Sequence, residues 1–415
     1  MPDGAPSAAP VVPPRNAGHA VAPTSSLTAT VLLVSSLTVL ANATIAPSLP
    51  GLAQAFADTP GIDTLAGLVL SLPSLAIILT AALFGWAADR FERRTVLIAA
   101  MIAYALGGAS GALAQSMPQI LAGRLLLGVG VAGALTIATQ LASEHWHGAE
   151  RARFMGWQGA AISAAGIVSV ALGGVLAELS WRAPFGIYLL ALPIAILAWR
   201  VVPARERVSA SESPVRSSTS REPFPWRVLA LTGGVMFLVM VFILLAATRL
   251  PFLLVEIGVR SPGLIGLTLA LMTLASFPSG LFYGRVRSRL EPRAIAVIAL
   301  SLMGTGFAII SQADALPAVI LGILVTGSGL GLVIPNQNVW LMAHVPEAAR
   351  GRASGLMTTL LFAGQFVSPI VSGALLALMD LHALFLAFAL GIGAVALALW
   401  VGGRTRCPRA MGEGG

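Results

Sequence analysis

Chemistry in this chain can turn on Arg124, a charge set well inside a long apolar stretch, 118–140. Placing a guanidinium near the middle of an apolar helix costs at least about 2.5–3.5 kcal/mol on insertion scales. It must therefore face a cavity or a partner, or else snorkel its head outward to water. Arg124 stands roughly six residues, or about 9 Å, from the outer end of its stretch. Asn42 stands at matching depth in the stretch 27–48. No carboxylate shares that depth: none of the 17 Asp and Glu residues lies mid-stretch, so a proton carrier must be sought at the rims, at Asp63, Glu144, Glu178 or Asp89. Uncharged polar groups are better placed. Gln365 lies at mid-depth beside Phe366, Ser368 and Pro369. Asn336, Gln337 and Asn338 follow Pro335 towards one end of their stretch, and Thr44, Thr136 and Gln140 complete the set. Such groups either line a cavity or tie helix to helix. His145, His147, His344 and His382 show no metal-ligand spacing. A phosphate-binding Gly-x-x-x-x-Gly-Lys-Ser/Thr loop and a nucleophile arrangement are both missing. The expectation is no metal, no cofactor and no enzymatic reaction.

The elements that must position these residues are written in the composition. The chain is 57% hydrophobic and 10% charged, against roughly 25% charged in soluble domains. Apolar stretches of about 20 residues recur, each able to cross about 30 Å of hydrocarbon as a helix. They fall at 27–48, 63–83, 95–115, 118–140, 154–176 and 183–202, and then at 227–249, 262–283, 294–313, 316–340, 352–376 and 381–402. The reading is an all-α polytopic membrane protein of twelve spans, with a disordered tail over 1–26, a six-helix bundle over 27–202, a linker over 203–226, a second bundle over 227–402 and a tail over 403–415. No removable signal peptide is expected before the first span, because no short apolar core with a cleavage site stands there. The single Cys407 offers no disulfide. Net charge is +8, and all 25 basic residues are Arg. Apart from Arg124, they lie at the ends of the apolar stretches, in short loops, the linker and the tails, which points to membrane orientation and away from nucleic acid. Arg90, Arg93, Arg94, Arg151, Arg153, Arg285 to Arg293, Arg350, Arg352 and the linker and tail arginines share one side, whereas the other holds Arg182, Arg249 and Arg260. The Arg-rich side, with both termini, is expected to be cytoplasmic.

The two halves are related. Gly85-Trp86-Ala87-Ala88-Asp89-Arg90-Phe91-Glu92-Arg93-Arg94 reappears, at an offset of 199, as Gly284 to Arg293, matching at Gly85/Gly284, Arg90/Arg289, Glu92/Glu291 and Arg94/Arg293. Arg151/Arg350, Arg153/Arg352, Gly156/Gly355 and His145/His344 keep the same offset. This is an internal duplication. The first copy resembles the loop 2–3 signature of the major facilitator superfamily, Gly-x-Leu-Ala-Asp-Arg-x-Gly-Arg-(Arg/Lys), with Ala87 and Glu92 departing from it. Arg124 to Gly130 resembles the same family's fourth-helix Arg-x-x-x-Gly-x-Gly, linked there to proton coupling, with Leu127 in place of the usual Gln. Ala165 to Gly174 keeps the paired Gly of the antiporters' fifth-helix motif but has Ser169-Val170 where Gly-Pro is usual. Asn42 to Pro50, and Leu250-Pro251-Phe252, resemble the bacterial drug-exporter branch.

The resemblance implies two pseudo-symmetric six-helix bundles around a midplane cavity, working by alternating access. It implies a gate in which Gly85, Asp89, Arg90, Arg93 and Arg94 meet the start of the eleventh helix at Arg350 and Arg352, where the helix dipole favours a carboxylate; plain positive-inside anchoring is the alternative. Because the first and fourth helices of this fold line the cavity together, Arg124 is expected to hydrogen-bond Asn42 or nearby backbone. Cavity candidates are Asn42, Thr44, Gln140, Asn336, Asn338 and Gln365. The expected function is proton-coupled efflux of small amphipathic molecules by a monomer in a bacterial inner membrane. A metabolite importer or facilitator of the same fold, and a non-transporting sensor or scaffold, are the rivals.

Overall fold

The computed structural model describes residues 25–202 and 224–404. Most of the tail expected over 1–26, most of the linker expected over 203–226 and all but two residues of the tail expected over 403–415 lie outside the described residues; Ser25 and Ser26, expected in the first tail, instead open the first helix. Within them the protein is all-helical, and twelve helices are long and apolar enough to cross a membrane. They are α1 (Ser25–Ala55), α2 (Ile62–Arg90), α3 (Arg93–Ala112), α4 (Met117–His145), α5 (Arg153–Leu179), α6 (Ala183–Val201), α7 (Trp226–Glu256), α8 (Pro262–Arg287), α9 (Pro292–Ile310), α10 (Leu316–Met342), α11 (Arg350–Leu376) and α12 (Leu381–Val401).

Local sequence explains several boundaries. Proline stands in the first positions of α4, α6, α8, α9 and α10, where its missing N–H is no loss and its φ already suits a helix. At α8, Ser261 also caps Leu264 N–H with its Oγ. Interior prolines at 73, 251, 278, 335 and 369 stay within their helices, as neighbouring helices in a membrane can re-satisfy the freed backbone. At Pro47 the outcome differs: α1 breaks into a short 3-10 turn, Ala46–Ser48, before resuming. Two expectations need correcting. The charged stretch from Gly85 to Arg90 is the helical end of α2, not a turn; the chain turns only at Phe91 and Glu92. Helix α7 runs on to Glu256, because Leu250 to Val255 continue the apolar run past Arg249.

The duplication is visible in the packing. In the first half, α4 approaches α3 through Gly123, opposite Gly107, and Gly130, against Ala100 and Tyr104. In the second half α10 approaches α9 through Gly322, opposite Gly306, and Gly329, against Ala299 and Met303. Each residue stands 199 after its counterpart. Gly128 sits against Pro73 and Ala76 of α2, and Gly327 against Met272 and Ala275 of α8, again 199 apart throughout. Small residues let these backbones touch, as is usual where helices pack without a hydrophobic drive. Within each half the helices are therefore locked at backbone distance. Between halves, the main contacts are α2 on α11 and α5 on α8, while α3, α6, α9 and α12 lie at the periphery.

A methyl group at Gly327 would strike the Met272 carbonyl and Ala275. Gly327→Ala is expected to cost about 1–3 kcal/mol, typical of overpacking, and to lower the thermal unfolding midpoint in detergent. Gly156→Ala, where nothing lies within 4 Å of the added carbon, is expected to leave that midpoint in place.

Candidate functional site

The polar groups at mid-depth converge on one amide. Gln365 of α11 presents Oε1 to both neighbours of the other half: Ser74 Oγ of α2 donates to it at 2.8 Å and Asn42 Nδ2 of α1 at 3.3 Å. Its Nε2 reaches Met240 Sδ of α7 at 3.7 Å. One turn further along, Ser368 Oγ donates to Val241 O at 2.7 Å, fastening α11 to α7 within the second half. Asn42 Oδ1 is buried and accepts no hydrogen bond from the described residues. The cluster is uncharged, spans both halves and retains a spare acceptor.

From this cluster to the Arg-poor end the halves are closed on each other. Gly67 packs on Pro369 and Gly373 on Thr64 along the α2–α11 seam. Gly174 lies on the Pro262–Gly266 backbone along the α5–α8 seam, while Gly173 beside it packs on Thr44. Each seam has a polar clasp. Arg249 of α7, 2% exposed, donates Nε to Ser372 Oγ and Nη1 to the main-chain oxygen of Asp63, both at 3.0 Å; the Asp63 carboxylate adds electrostatic attraction. Across the other seam, Ser261 Oγ donates to Glu178 Oε1 at 2.6 Å. Towards the Arg-rich end the picture reverses. Side-chain carbons added at Gly85, Gly156, Gly159, Gly284, Gly351 or Gly355 would meet nothing within 4 Å. The described hydrogen bonds and glycine contacts between the halves thus gather at mid-depth and towards the Arg-poor end, with none described towards the Arg-rich end.

Arg124 is buried, 1% exposed, but it lies inside the first half. Its guanidinium packs on the rings of Phe185 and Tyr188 of α6, 4.8 and 4.9 Å from their centroids. Tyr188 and Tyr104 of α3 meet edge to face at 5.8 Å. Their hydroxyls donate to Ala41 O and Leu37 O of α1, at 3.0 and 2.8 Å. Arg124 Nε, Nη1 and Nη2 make no hydrogen bond of normal geometry among the described residues. The expected bond to Asn42 is absent, because the arginine is turned towards α6 and Asn42 towards α11. Arg124 reaches α1 through two tyrosines instead.

The remaining candidates scatter. Thr44 is fully buried and bonded to Leu40 O, under the Gly173 contact, so it is packing rather than cavity lining. Asn336 is also fully buried; its Nδ2 donates to Pro292 O at 2.8 Å, which ties α10 to α9. Asn338 is exposed and bonds its own helix at Ile334 O. Gln140 is half-buried, with Oε1 unsatisfied among the described residues. The gate residues are apart in this state. Asp89 is exposed, and no described hydrogen bond or ion pair joins it to Arg350 or Arg352. Arg93 pairs with Glu144 of α4, Arg350 lies 3.4 Å from Glu347, Arg90 covers Trp86, Arg94 covers Trp199, and Arg352 covers Phe224 and Trp226. Sequence reasoning missed Ser74, Arg249, Tyr104 and Tyr188. Only Arg249 left a signal, in the apolar run that continues beyond it.

Residues 31–260 and 234–410 match the family described as the Major Facilitator Superfamily. The chain is 29% identical over 350 residues to the class G tetracycline resistance protein of Vibrio anguillarum, covering 82% of this chain and 87% of that one. It is 28% identical over 345 residues to the 3-(3-hydroxy-phenyl)propionate transporter of Escherichia coli, covering 79% and 81%. Among solved structures, the inward open xylose transporter XylE from E. coli superposes with a TM-score of 0.73 at 17% identity, covering 94% of this chain and 97% of that one. The nucleoside transporter NupG gives 0.74 at 15% identity, covering 91% and 99%.

Hydrogen bonds to a charged group contribute about 1.5–3 kcal/mol each. Arg249→Met, which removes the bond across the seam, is expected to shift the closed-to-open balance at the Arg-poor end by at least about ten-fold. Spin labels at Leu179→Cys and Arg260→Cys, with Cys407 replaced, should show a new long-distance population. An unchanged distance distribution would show that Arg249 is no clasp.

Proposed function

The chain belongs to the Major Facilitator Superfamily, and from that premise we propose that this membrane transporter exports small amphipathic, neutral or weakly charged molecules in exchange for protons. The Asn42–Ser74–Gln365 cluster carries this reading. It is the polar point at mid-depth where both halves meet, and it offers amide and hydroxyl groups beside the Met240 thioether. A substrate with a hydrogen-bonding group on an apolar body can replace the bonds that join Gln365 to the first half. A strongly cationic one finds no carboxylate at mid-depth among the described residues. The tetracycline-resistance relatives support export.

The cycle is alternating access. With the Arg-rich end facing the cytoplasm of a bacterial inner membrane, and both termini on that side, the state described is inward-facing. Closing that side brings Asp89 to the start of α11, where Arg350 and Arg352 stand, and opens the Arg249 and Glu178 clasps on the other. Residues 27–202 and 227–402 move as two bodies joined by the linker, within a monomer. Of the rim carboxylates, Glu144 is held by Arg93 within one half. Asp63 and Glu178 stand at seams that must part, so their surroundings change with the state, and they are the coupling candidates.

Uptake of drug into everted vesicles is expected to need a proton gradient and to collapse with a protonophore; gradient-insensitive uptake would sink the coupling. Accumulation in intact cells instead would favour import. Arg124→Ala is expected to insert normally but lose transport, whereas full activity in that variant would remove Arg124 from the mechanism. Gln365→Leu should raise the substrate KM by about ten-fold, the loss of one or two hydrogen bonds.

A further inference from the structure

The peripheral corner between α3 and α6 carries two arginines: Arg94, expected from the sequence at the gate but stacked here on Trp199, and Arg200. Arg94, at the start of α3, lays its guanidinium 4.2 Å from the centroid of the Trp199 ring near the end of α6. Trp199 is 57% exposed, and Arg200 beside it is exposed too. The nearest acid along the chain, Glu92, is turned to Thr95, whose Oγ1 donates to its Oε2 at 3.1 Å. Neither Arg94 nor Arg200 has a carboxylate partner among the described residues. Below them, α6 exposes Leu189, Leu192 and Ile196, and α3 exposes Ile102 and Leu106. From Trp199 to Leu189 the rise is about 15 Å at 1.5 Å per residue, half the roughly 30 Å hydrocarbon thickness.

We propose that this corner is a binding site for one anionic phospholipid: Arg94 and Arg200 hold the headgroup phosphate, Trp199 sets the depth of the interface, and the leucine and isoleucine face takes an acyl chain. The fit is one of charge and of length together. A guanidinium stacked on an indole keeps its N–H edge free for a bidentate contact to phosphate. An indole belongs at the headgroup level, and the apolar face ends where one leaflet ends. The duplicated position in the second half is less complete. Arg293, 199 residues after Arg94, spends its Nε on Leu399 O at 2.6 Å, and Ala398 and Leu399 stand 199 residues after Trp199 and Arg200. The site therefore belongs to the first half.

Native mass spectrometry of the full chain, purified with equal amounts of phosphatidylglycerol and phosphatidylcholine, tests the site. The parent should retain phosphatidylglycerol selectively, and millimolar inorganic phosphate should not displace it. Each basic side chain near an anionic surface is worth a factor of about five. Arg200→Gln, at an exposed position, should lower retention about five-fold, and Arg94→Gln with Arg200→Gln by more than ten-fold. Arg285→Gln with Arg289→Gln, which removes the same charge from the end of α8, should leave retention as it was. Equal loss in that control, parental retention in the α3–α6 variants, no preference for phosphatidylglycerol, or displacement by free phosphate would each overturn the proposal.

Discussion

An unpaired polar group in hydrocarbon is expensive, and that cost sorts the contacts of this protein into two kinds. Inside each half, glycines bring backbones together at Gly107, Gly123, Gly128 and Gly130, and again at their duplicates. Such contacts leave no polar group to satisfy, and they recur at the seams at Gly67, Gly174 and Gly373. Between the halves, polar adhesion rests on a few side-chain bonds: Gln365 to Asn42 and Ser74, Arg249 to Asp63, Ser261 to Glu178. Interhelical hydrogen bonds in membranes average about 0.6 kcal/mol, so these bonds together bias two states by a few kcal/mol. That is the size of gap which leaves a minor state populated and lets a ligand choose. Rigid halves and a breakable seam are two outcomes of the same penalty.

The two buried arginines show how the penalty is met differently. Arg249 bridges the halves through hydrogen bonds, so it senses their separation directly. Arg124 crosses nothing. It is held by ring faces, an attraction that strengthens when the cation is desolvated. Of the rings it lies against, Tyr188 is fixed to α1 at Ala41 O, which adjoins Asn42, and Tyr104, edge to face with Tyr188, is fixed at Leu37 O. Arg124 thus acts on the mid-depth cluster by holding the α1 backbone in register. Its distance from the substrate path is compatible with a strong effect on transport.

The sequence made the architecture legible because period and charge are carried by many residues at once. Twelve apolar stretches and an offset of 199 survive errors of several residues at any boundary. The site is carried by single side chains, and there the direction of one χ angle decides. Depth was readable for Asn42, Arg124 and Gln365, since depth follows from position along a helix; azimuth was not. Hence Asn42 was paired with Arg124 at the same depth, while its partner lies across the seam. Ending α7 at Arg249 had a similar cause. An arginine followed by Leu-Pro reads as a helix end in water, yet a buried guanidinium bonded to two oxygens can stay inside. Thr44 and Asn336 looked like lining because polarity was visible and packing against Gly173 and Pro292 was not.

The empty middle of the acidic census has a mechanical consequence. Where a carboxylate sits in a central cavity, proton and substrate can compete for one charge, and coupling is local. Here the carboxylates stand at the rims, and those that meet the opposite half do so at a seam. In the exchange proposed above, a proton bound there would alter the attraction across the seam, and a substrate at Gln365 would alter the bonds one or two turns deeper along the same α11. The two ligands would then influence each other by way of the seam's opening, through differential affinity for the two states. Coupling of this kind would be carried by how firmly the halves close, with the weak bonds between them setting the efficiency of exchange.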